Sequence, residues 1–263
     1  MDEHLQNVRL KMARADAHIE EVKAALNIGP RAVAGQRTHG IGIQDDWTLE
    51  YTTDIPVPGP ECGIILGEAI HQLRSALDHL LCALAMRNHD RSICEELRLQ
   101  FPIHKDAAGF LSNRLVSQGT LESALGTREF RFVEDSQPYQ RNQLSPTFDP
   151  LYILGQLDNI DKHRIVLVLD QRLAISGYFE SAKGMAPFAV SHQPVKPGAQ
   201  ALDVGRPLPE PPYAVRVENM APFIVFSETD GLCDGAGIFP MFRAMQGTVA
   251  TIIDGSVRFF ENG

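Results

Sequence analysis

Apolar side chains recur at alternating spacings of three and four residues in four parts of the chain, which is the pattern of helices that bury one face. Gly29 ends the first of these segments. Asp149 followed by Pro150 is a typical helix start, with the aspartate as N-cap and the proline at the first helical position. The predicted helices cover residues 5–26, about 60–88, 150 to about 163 and 239–255.

Other segments alternate with a period of two, which indicates strands. A hairpin is predicted at about 36–55, where Trp47, Leu49 and Tyr51 alternate with polar residues. The stretches RIVLVLDQRLAISGYFES and PYAVRVENMAPFIVFSE each predict two strands, with Asn219 in the turn of the second pair. The segment between them, HQPVKPGAQALDVGRPLPEPP, predicts a surface connection, and GTREFRFVEDSQPYQRNQLSPTFDP predicts mostly loop.

The order of these elements predicts an α+β protein with antiparallel strands concentrated in its C-terminal half. Residues 1–163 are expected to form a mainly helical bundle with the hairpin inserted into it. Residues 164–263 are expected to form antiparallel strands and a C-terminal helix that packs back on the bundle.

Composition restricts the class of protein. With 44% hydrophobic and 22% charged residues, the 263-residue chain is typical of a globular protein, and it has no apolar run long enough for a bilayer. The N-terminus lacks an apolar signal region, and the four cysteines form no C-x-x-C pair, so a cytoplasmic protein with reduced thiols is expected. The net charge of −9 means that any binding of nucleic acid needs a local basic cluster.

The segment EAIHQLRSALDHLLCALA, residues 68–85, places polar side chains within an apolar helix. On a helical wheel His71, Ser75 and Asp78 lie opposite the leucine face, whereas Arg74 and His79 lie on the two flanks, about 140° apart. One explanation is purely structural, because Asp78 follows Arg74 by four residues and can pair with it. The other explanation is a functional site.

The sequence RSALDH, Arg74 to His79, resembles the Arg-x4-His motif of the HEPN superfamily. That superfamily consists of helical domains, many of them metal-independent ribonucleases of bacterial defence and toxin systems. Ser75 stands where asparagine, aspartate or histidine is more usual in the motif. The resemblance implies a HEPN-like bundle as the core, to which the hairpin and the C-terminal sheet are additions.

The resemblance also implies a chemistry. His79 is expected to act as general base or acid on a ribose 2′-OH, and Arg74 to bind the scissile phosphate. His71, Ser75 and Asp78 are expected to support these two catalytic residues. RNA is then the substrate, the products end in a 2′,3′-cyclic phosphate, and no metal or other cofactor is required.

In the HEPN superfamily two motifs meet across a homodimer, so the resemblance implies a homodimer here, through the face with His71, Ser75 and Cys82. An antitoxin partner of unspecified identity follows from the same resemblance, and a membrane is not expected. The combination of LRSALDHL, FPI and NIDKHR also resembles uncharacterised bacterial and phage proteins, which implies no activity.

A second polar cluster ends the third predicted helix: Asp161, Lys162, His163 and Arg164. Cations in a last helical turn complement the helix dipole, which is a sufficient structural explanation. The cluster could also supply local positive charge for RNA, or form part of a metal-binding helical-bundle hydrolase. The candidate metal ligands are Asp161 and His163 with His71, Asp78 and His18, and the last of these is expected on the polar side of the first helix. A non-enzymatic protein that binds a ligand or partner remains the other alternative.

Overall fold

A computed structural model describes residues 3–26, 36–39, 48–53, 58–163, 167–181, 184–194, 198–203, 214–229 and 231–261. In these ranges the chain forms helices and antiparallel strands, so the α+β class is confirmed. The helices are α1 (Glu3–Ala25), α2 (Pro60–Ala85), α3 (Ser92–Leu97), α4 (Ala107–Ser112), α5 (Arg114–Ser117), α6 (Thr120–Leu125), α7 (Thr127–Asp135), α8 (Pro138–Arg141), α9 (Pro150–His163) and α10 (Ile238–Ser256). The strands are β1 (Gln36–His39), β2 (Thr48–Thr53), β3 (Val168–Ser181), β4 (Gly184–Pro194), β5 (Gly198–Asp203) and β6 (Ala214–Ser227).

Helix α2 is the centre of the hydrophobic core, and α1, α9 and α10 pack against it. Its apolar stripe is completely buried, and each fully buried leucine contributes roughly 1.5–3 kcal/mol to folding. The predicted stripe of α1 is likewise buried, except that Met12 is half-buried. The buried residues of the α2 stripe are Leu66, Ile70, Leu73, Leu77, Leu80, Leu81 and Leu84.

The start of α9 has the predicted cap. The backbone N–H of Leu151 donates a 2.8 Å hydrogen bond to the Asp149 carboxylate, and Pro150 occupies the first helical position. None of the helices within the described ranges is long and apolar enough to cross a membrane. The division of the chain between 163 and 164 stays a prediction, since residues 164–166 lie outside the described ranges.

Two sheets of three antiparallel strands are formed, in the orders β4-β3-β6 and β1-β2-β5. The prediction of two strands in each C-terminal stretch was wrong, because β3 and β6 are single strands of 14 residues. Asn219 is not in a turn but pairs with Ser176 within the ladder. The register then shifts, so that Gly177 pairs with Val217, and this irregularity breaks the alternation that the sequence pattern depends on.

Two further predictions need correction. Residues 198–203, expected in a surface connection, form β5 and pair with β2. The segment expected to be mostly loop contains α7 and α8. Phe130 and Phe132 alternate as in a strand, but in α7 they point to different sides, towards Phe110 and Phe259 respectively.

Candidate functional site

The predicted catalytic arginine is engaged in a structural contact. Arg74 Nη2 donates a 2.8 Å hydrogen bond to the carbonyl oxygen of Phe101, and Nη1 lies 2.8 Å from Asp78 Oδ1. The backbone N–H of Phe101 donates to the same Asp78 oxygen at 2.8 Å. The expected Arg74–Asp78 pair is therefore present, and it clamps the start of the segment that follows α3.

Burial determines the electrostatics of this clamp. Desolvation raises the pKa of the Asp78 carboxyl, while Arg74 and the Phe101 N–H oppose that rise. The Arg74 side chain is only 12% exposed. A guanidinium held in this way stabilises the fold directly, and its contact with a phosphate stays a prediction.

The residue that completes the attachment of this segment was not foreseen. Gln137 is fully buried, and its amide nitrogen donates to the carbonyl oxygens of Pro102 and Val133 at 2.8 and 3.0 Å. Its amide oxygen accepts the backbone N–H of His104 at 3.0 Å. The proline that follows Gln137 in the motif QPY starts α8. This proline is the only local signal in the sequence that the position of Gln137 is fixed by secondary structure.

His71 is bonded to α9. Its Nδ1 lies 2.9 Å from Oδ1 of Asp158, a carboxylate that is only 2% exposed. Lys162, one turn further along α9, donates to the other oxygen of Asp158 at 2.7 Å. His71 and Lys162 thus both contact this one buried carboxylate, each from a different helix.

His18, expected on the polar side of α1, is buried. Its Nδ1 lies 3.2 Å from Glu21 and 3.6 Å from Glu68 of α2. The expectation was wrong because the apolar stripe does not mark the whole contact between α1 and α2. A histidine next to the stripe can be buried when carboxylates from both helices surround it.

A cavity of about 620 Å³ opens between α1, α2 and α9, and we call it the polar pocket. Asp161, one of the predicted cluster residues, lies over Gly67 at its edge, where a side chain on Gly67 would overlap its carboxylate. Burial raises the pKa of Asp161, and the negative charge of Asp158 adds to that rise. The residues lining the polar pocket are Arg14, His18, Glu68, His71, Gln72, Asp161 and Lys162.

The pocket does not have the arrangement of a metal centre. Within the described part of the chain, no three His, Cys, Asp or Glu side chains are placed to hold a metal ion. The side chain of His163 and all of Arg164 lie outside the described residues. The metal-hydrolase alternative therefore has no support from the residues described.

His79 lies on a different surface. It lines an open cavity of about 550 Å³, which we call the His79 groove, between α1, α2 and the segment that leads into α3. Neither Arg74 nor Ser75 lines this groove, and Ser75 is half-buried. The lining residues are Asn7, His79, Cys82, Met86, His89, Asp90, Arg91, Cys94 and Glu95.

The imidazole of His79 is exposed, and none of the described residues is hydrogen-bonded to it. Partial burial lowers its pKa, the nearby charge of Lys11 lowers it further, and Asp78 opposes the shift. His79 is therefore neutral at pH 7, the form that accepts a proton. A second histidine, His89, lies in the same groove with its Nε2 3.5 Å from the carbonyl oxygen of Ser123.

Two thiols form one wall of the groove. Cys82 of α2 lies beside Cys94 of α3, and both are half-buried. Burial, followed by the contact with Cys94, raises the pKa of Cys82. Cys82 acts as packing at the groove wall, since its raised pKa disfavours the reactive thiolate.

The sequence did not single out His89, Arg91 or Cys94. The signal was available in MRNHDRS, a polar stretch with a histidine and two arginines that directly follows α2. Only the three-dimensional structure shows that this stretch turns back beside His79. No family model, curated protein or solved structure shows a significant match to the chain.

Proposed function

We propose that this chain is a metal-independent RNA-cleaving protein with a HEPN-like helical core, and that His79 is its general base. The observation that carries the proposal is an exposed, neutral imidazole in an open groove that also contains His89 and Arg91. Two histidines and a cation are sufficient for phosphodiester transfer without a metal. A role in a defence or toxin system follows from the HEPN resemblance.

The reaction is an attack within the RNA strand. His79 accepts the proton of a ribose 2′-OH, and the freed oxygen attacks the adjacent phosphorus. The bond from phosphorus to O5′ then breaks, and His89 as general acid gives a proton to O5′. The products are a 2′,3′-cyclic phosphate and a 5′-hydroxyl.

We propose that the cation that contacts the scissile phosphate comes from the His79 groove itself. Arg91 lines the groove, so it can contact a phosphate there, and the charge of Lys11 acts on the same histidine. Arg74 acts as a positioning residue, because its hydrogen bond to Phe101 and its ion pair with Asp78 hold α2 and the following segment in place.

The homodimer remains part of the proposal. Cys82 lies both on the predicted dimer face and in the wall of the His79 groove, so a second copy on that face would add its own side chains to the groove. Sedimentation equilibrium of the purified chain tests this directly. A mass of one chain at every protein concentration tested contradicts the dimer.

The test of function is cleavage of a 5′-labelled single-stranded RNA in EDTA. His79→Ala is expected to lower the rate by about 10²- to 10⁴-fold, the range for losing a general base. His104→Ala is the matched control, because burial also lowers the pKa of His104 but it lies outside the groove. A 2′-deoxy substitution at the cleaved nucleotide is expected to abolish the reaction.

Equal rates for wild type, His79→Ala and His104→Ala would mean that the activity does not arise in the His79 groove. Products that end in a 3′-phosphate without a cyclic intermediate would contradict the attack by the 2′-oxygen. Both outcomes are read from the same gel and from mass spectrometry of the products.

The polar pocket supports a second candidate, the non-enzymatic binding of a small charged ligand. It combines the cations Arg14 and Lys162 with the carboxylates Glu68 and Asp161, a mixture that suits a ligand with both charges. A thermal-shift screen of amino acids and other zwitterions tests this. A ligand that raises the melting temperature of wild type, and of His79→Ala equally, would favour this candidate over RNA cleavage.

A further inference from the structure

Arginine side chains lie over a group of phenylalanine rings beside the end of α10. The rings of Phe132 and Phe259 are 5.4 Å apart in an edge-to-face arrangement. The guanidinium of Arg258 lies 5.0 Å from the centre of Phe259 and 5.6 Å from that of Phe132. Arg128 lies 5.9 Å from Phe259, so two arginines share one ring.

Two more arginines extend this group. Arg87 lies 5.8 Å from the centre of Phe260 and forms an ion pair with Glu129. Arg131 is exposed on α7, one turn after Arg128. Among the described residues, no carboxylate forms an ion pair with Arg128 or Arg131. Arg128 and Arg131 thus carry positive charges that no described carboxylate neutralises in an ion pair.

We call these side chains the arginine–phenylalanine surface: Arg87, Arg128, Arg131 and Arg258 with Phe132, Phe259 and Phe260. The surface is joined to the His79 groove. Residues 86–91 connect them, since Arg87 belongs to the surface and His89 to the groove. Asn88 between them donates a 2.9 Å hydrogen bond to the carbonyl oxygen of Leu125, which fixes the segment against α6.

The Arg128 guanidinium lies over the Phe259 ring and forms no ion pair with the described residues, so its N–H edge is available for phosphate and is already oriented. Its outer face can also stack on an unpaired base, a contact that double-stranded RNA does not offer. We propose that the arginine–phenylalanine surface binds single-stranded RNA and leads it into the His79 groove. This inference rests on the proposed function for its choice of RNA, and it assigns the substrate class and the path of the strand.

The experiment measures binding separately from cleavage. Fluorescence anisotropy with a 15-nucleotide single-stranded RNA, 2′-O-methylated so that it cannot be cleaved, gives Kd at several salt concentrations. The variant Arg128→Ala/Arg131→Ala is expected to raise Kd at least tenfold and to reduce the salt slope by about 1.4, or 0.7 per lost phosphate contact. Arg128→Lys/Arg131→Lys keeps the charge and is expected to recover part of the affinity.

Arg243→Ala is the matched control, because it removes an exposed arginine from α10 about 20 Å along the helix from Arg258. Equal effects of the control and the double variant overturn the proposal, and so does an affinity for double-stranded RNA that equals that for the single strand. If wild type cleaves RNA and the double variant binds RNA normally, RNA binding by the arginine–phenylalanine surface is refuted, whereas the cleavage proposal stands. Loss of binding in the double variant without any cleavage by wild type refutes the cleavage proposal alone.

Discussion

Two histidines of the same helix differ completely in their surroundings. His71 lies 2.9 Å from the buried carboxylate of Asp158, whereas His79, eight residues later, is exposed and has no hydrogen bond to the described residues. The first histidine helps α2 to hold α9. The second is available for chemistry. A polar residue in an apolar helix therefore acquires its role from the neighbouring elements rather than from its own helix.

The largest expected effect on stability concerns the clamp formed by Arg74, Asp78 and the backbone of Phe101. In the sequence, Arg74 and Asp78 lie between the two histidines. Asp78→Ala removes the acceptor of the buried Phe101 N–H and the partner of Arg74, so the free energy of unfolding is expected to fall by about 2–4 kcal/mol. Urea denaturation measures this. Glu96→Ala, at an exposed carboxylate of α3, is the control and is expected to change stability by less than about 0.5 kcal/mol.

Arg74→Ala in the same assay separates structure from catalysis. If Arg74 is a clamp, its loss destabilises the fold by a comparable amount, and the double variant with Asp78→Ala shows strong coupling between the two sites. A stable Arg74→Ala variant that has lost RNA cleavage would show instead that this arginine contacts the phosphate.

The next prediction compares the two histidines directly. His71→Ala is expected to lower the free energy of unfolding by about 1–2 kcal/mol, because the buried carboxylate of Asp158 keeps only Lys162 as a partner. His79→Ala is expected to change it by less than about 0.5 kcal/mol. Thermal and urea unfolding of both variants measure the difference, and equal losses would remove the distinction on which the proposed function depends.

The sequence was sufficient for the parts of the fold that repeat regularly. The stripes of α1 and α2 and the cap of α9 were predicted from spacing and from Asp149 and Pro150 alone. The bulge opposite Ser176 was not predicted, because one extra residue in a strand interrupts the alternation of side chains in the same way as a turn.

For the candidate site, local sequence identified the Arg74–Asp78 pair and the histidines, because their spacing on one helix is fixed. It could not identify the partners that decide their roles. Asp158 reaches His71 from 87 residues away along the chain, and His89 joins His79 only because the chain turns after α2. Contacts of this kind depend on tertiary packing, which no local period encodes.

A smaller effect is expected at the contact between α2 and α9. Gly67→Ala would gain about 1 kcal/mol of helix propensity, but its methyl group overlaps the Asp161 carboxylate. We expect the substitution to be neutral or destabilising in wild type and stabilising by about 1 kcal/mol in an Asp161→Ala background. Chemical denaturation of the four proteins measures the coupling, and additive effects would show that Asp161 does not lie over Gly67.

The smallest effect is the pH dependence that His79 contributes. Because its pKa is lowered in the folded chain, the unfolded chain binds more protons once the pH falls to about 6.5, the usual value for histidine. Stability is therefore lost as the pH falls from about 7.5 through 6.5 towards the lowered pKa, and the loss is complete below it. His79→Gln is expected to be less sensitive to acid across this window, and His89→Gln serves as the comparison in the same groove. Identical pH profiles of wild type and His79→Gln would show that the pKa of His79 is not lowered in the folded chain, which would contradict the environment described for the His79 groove.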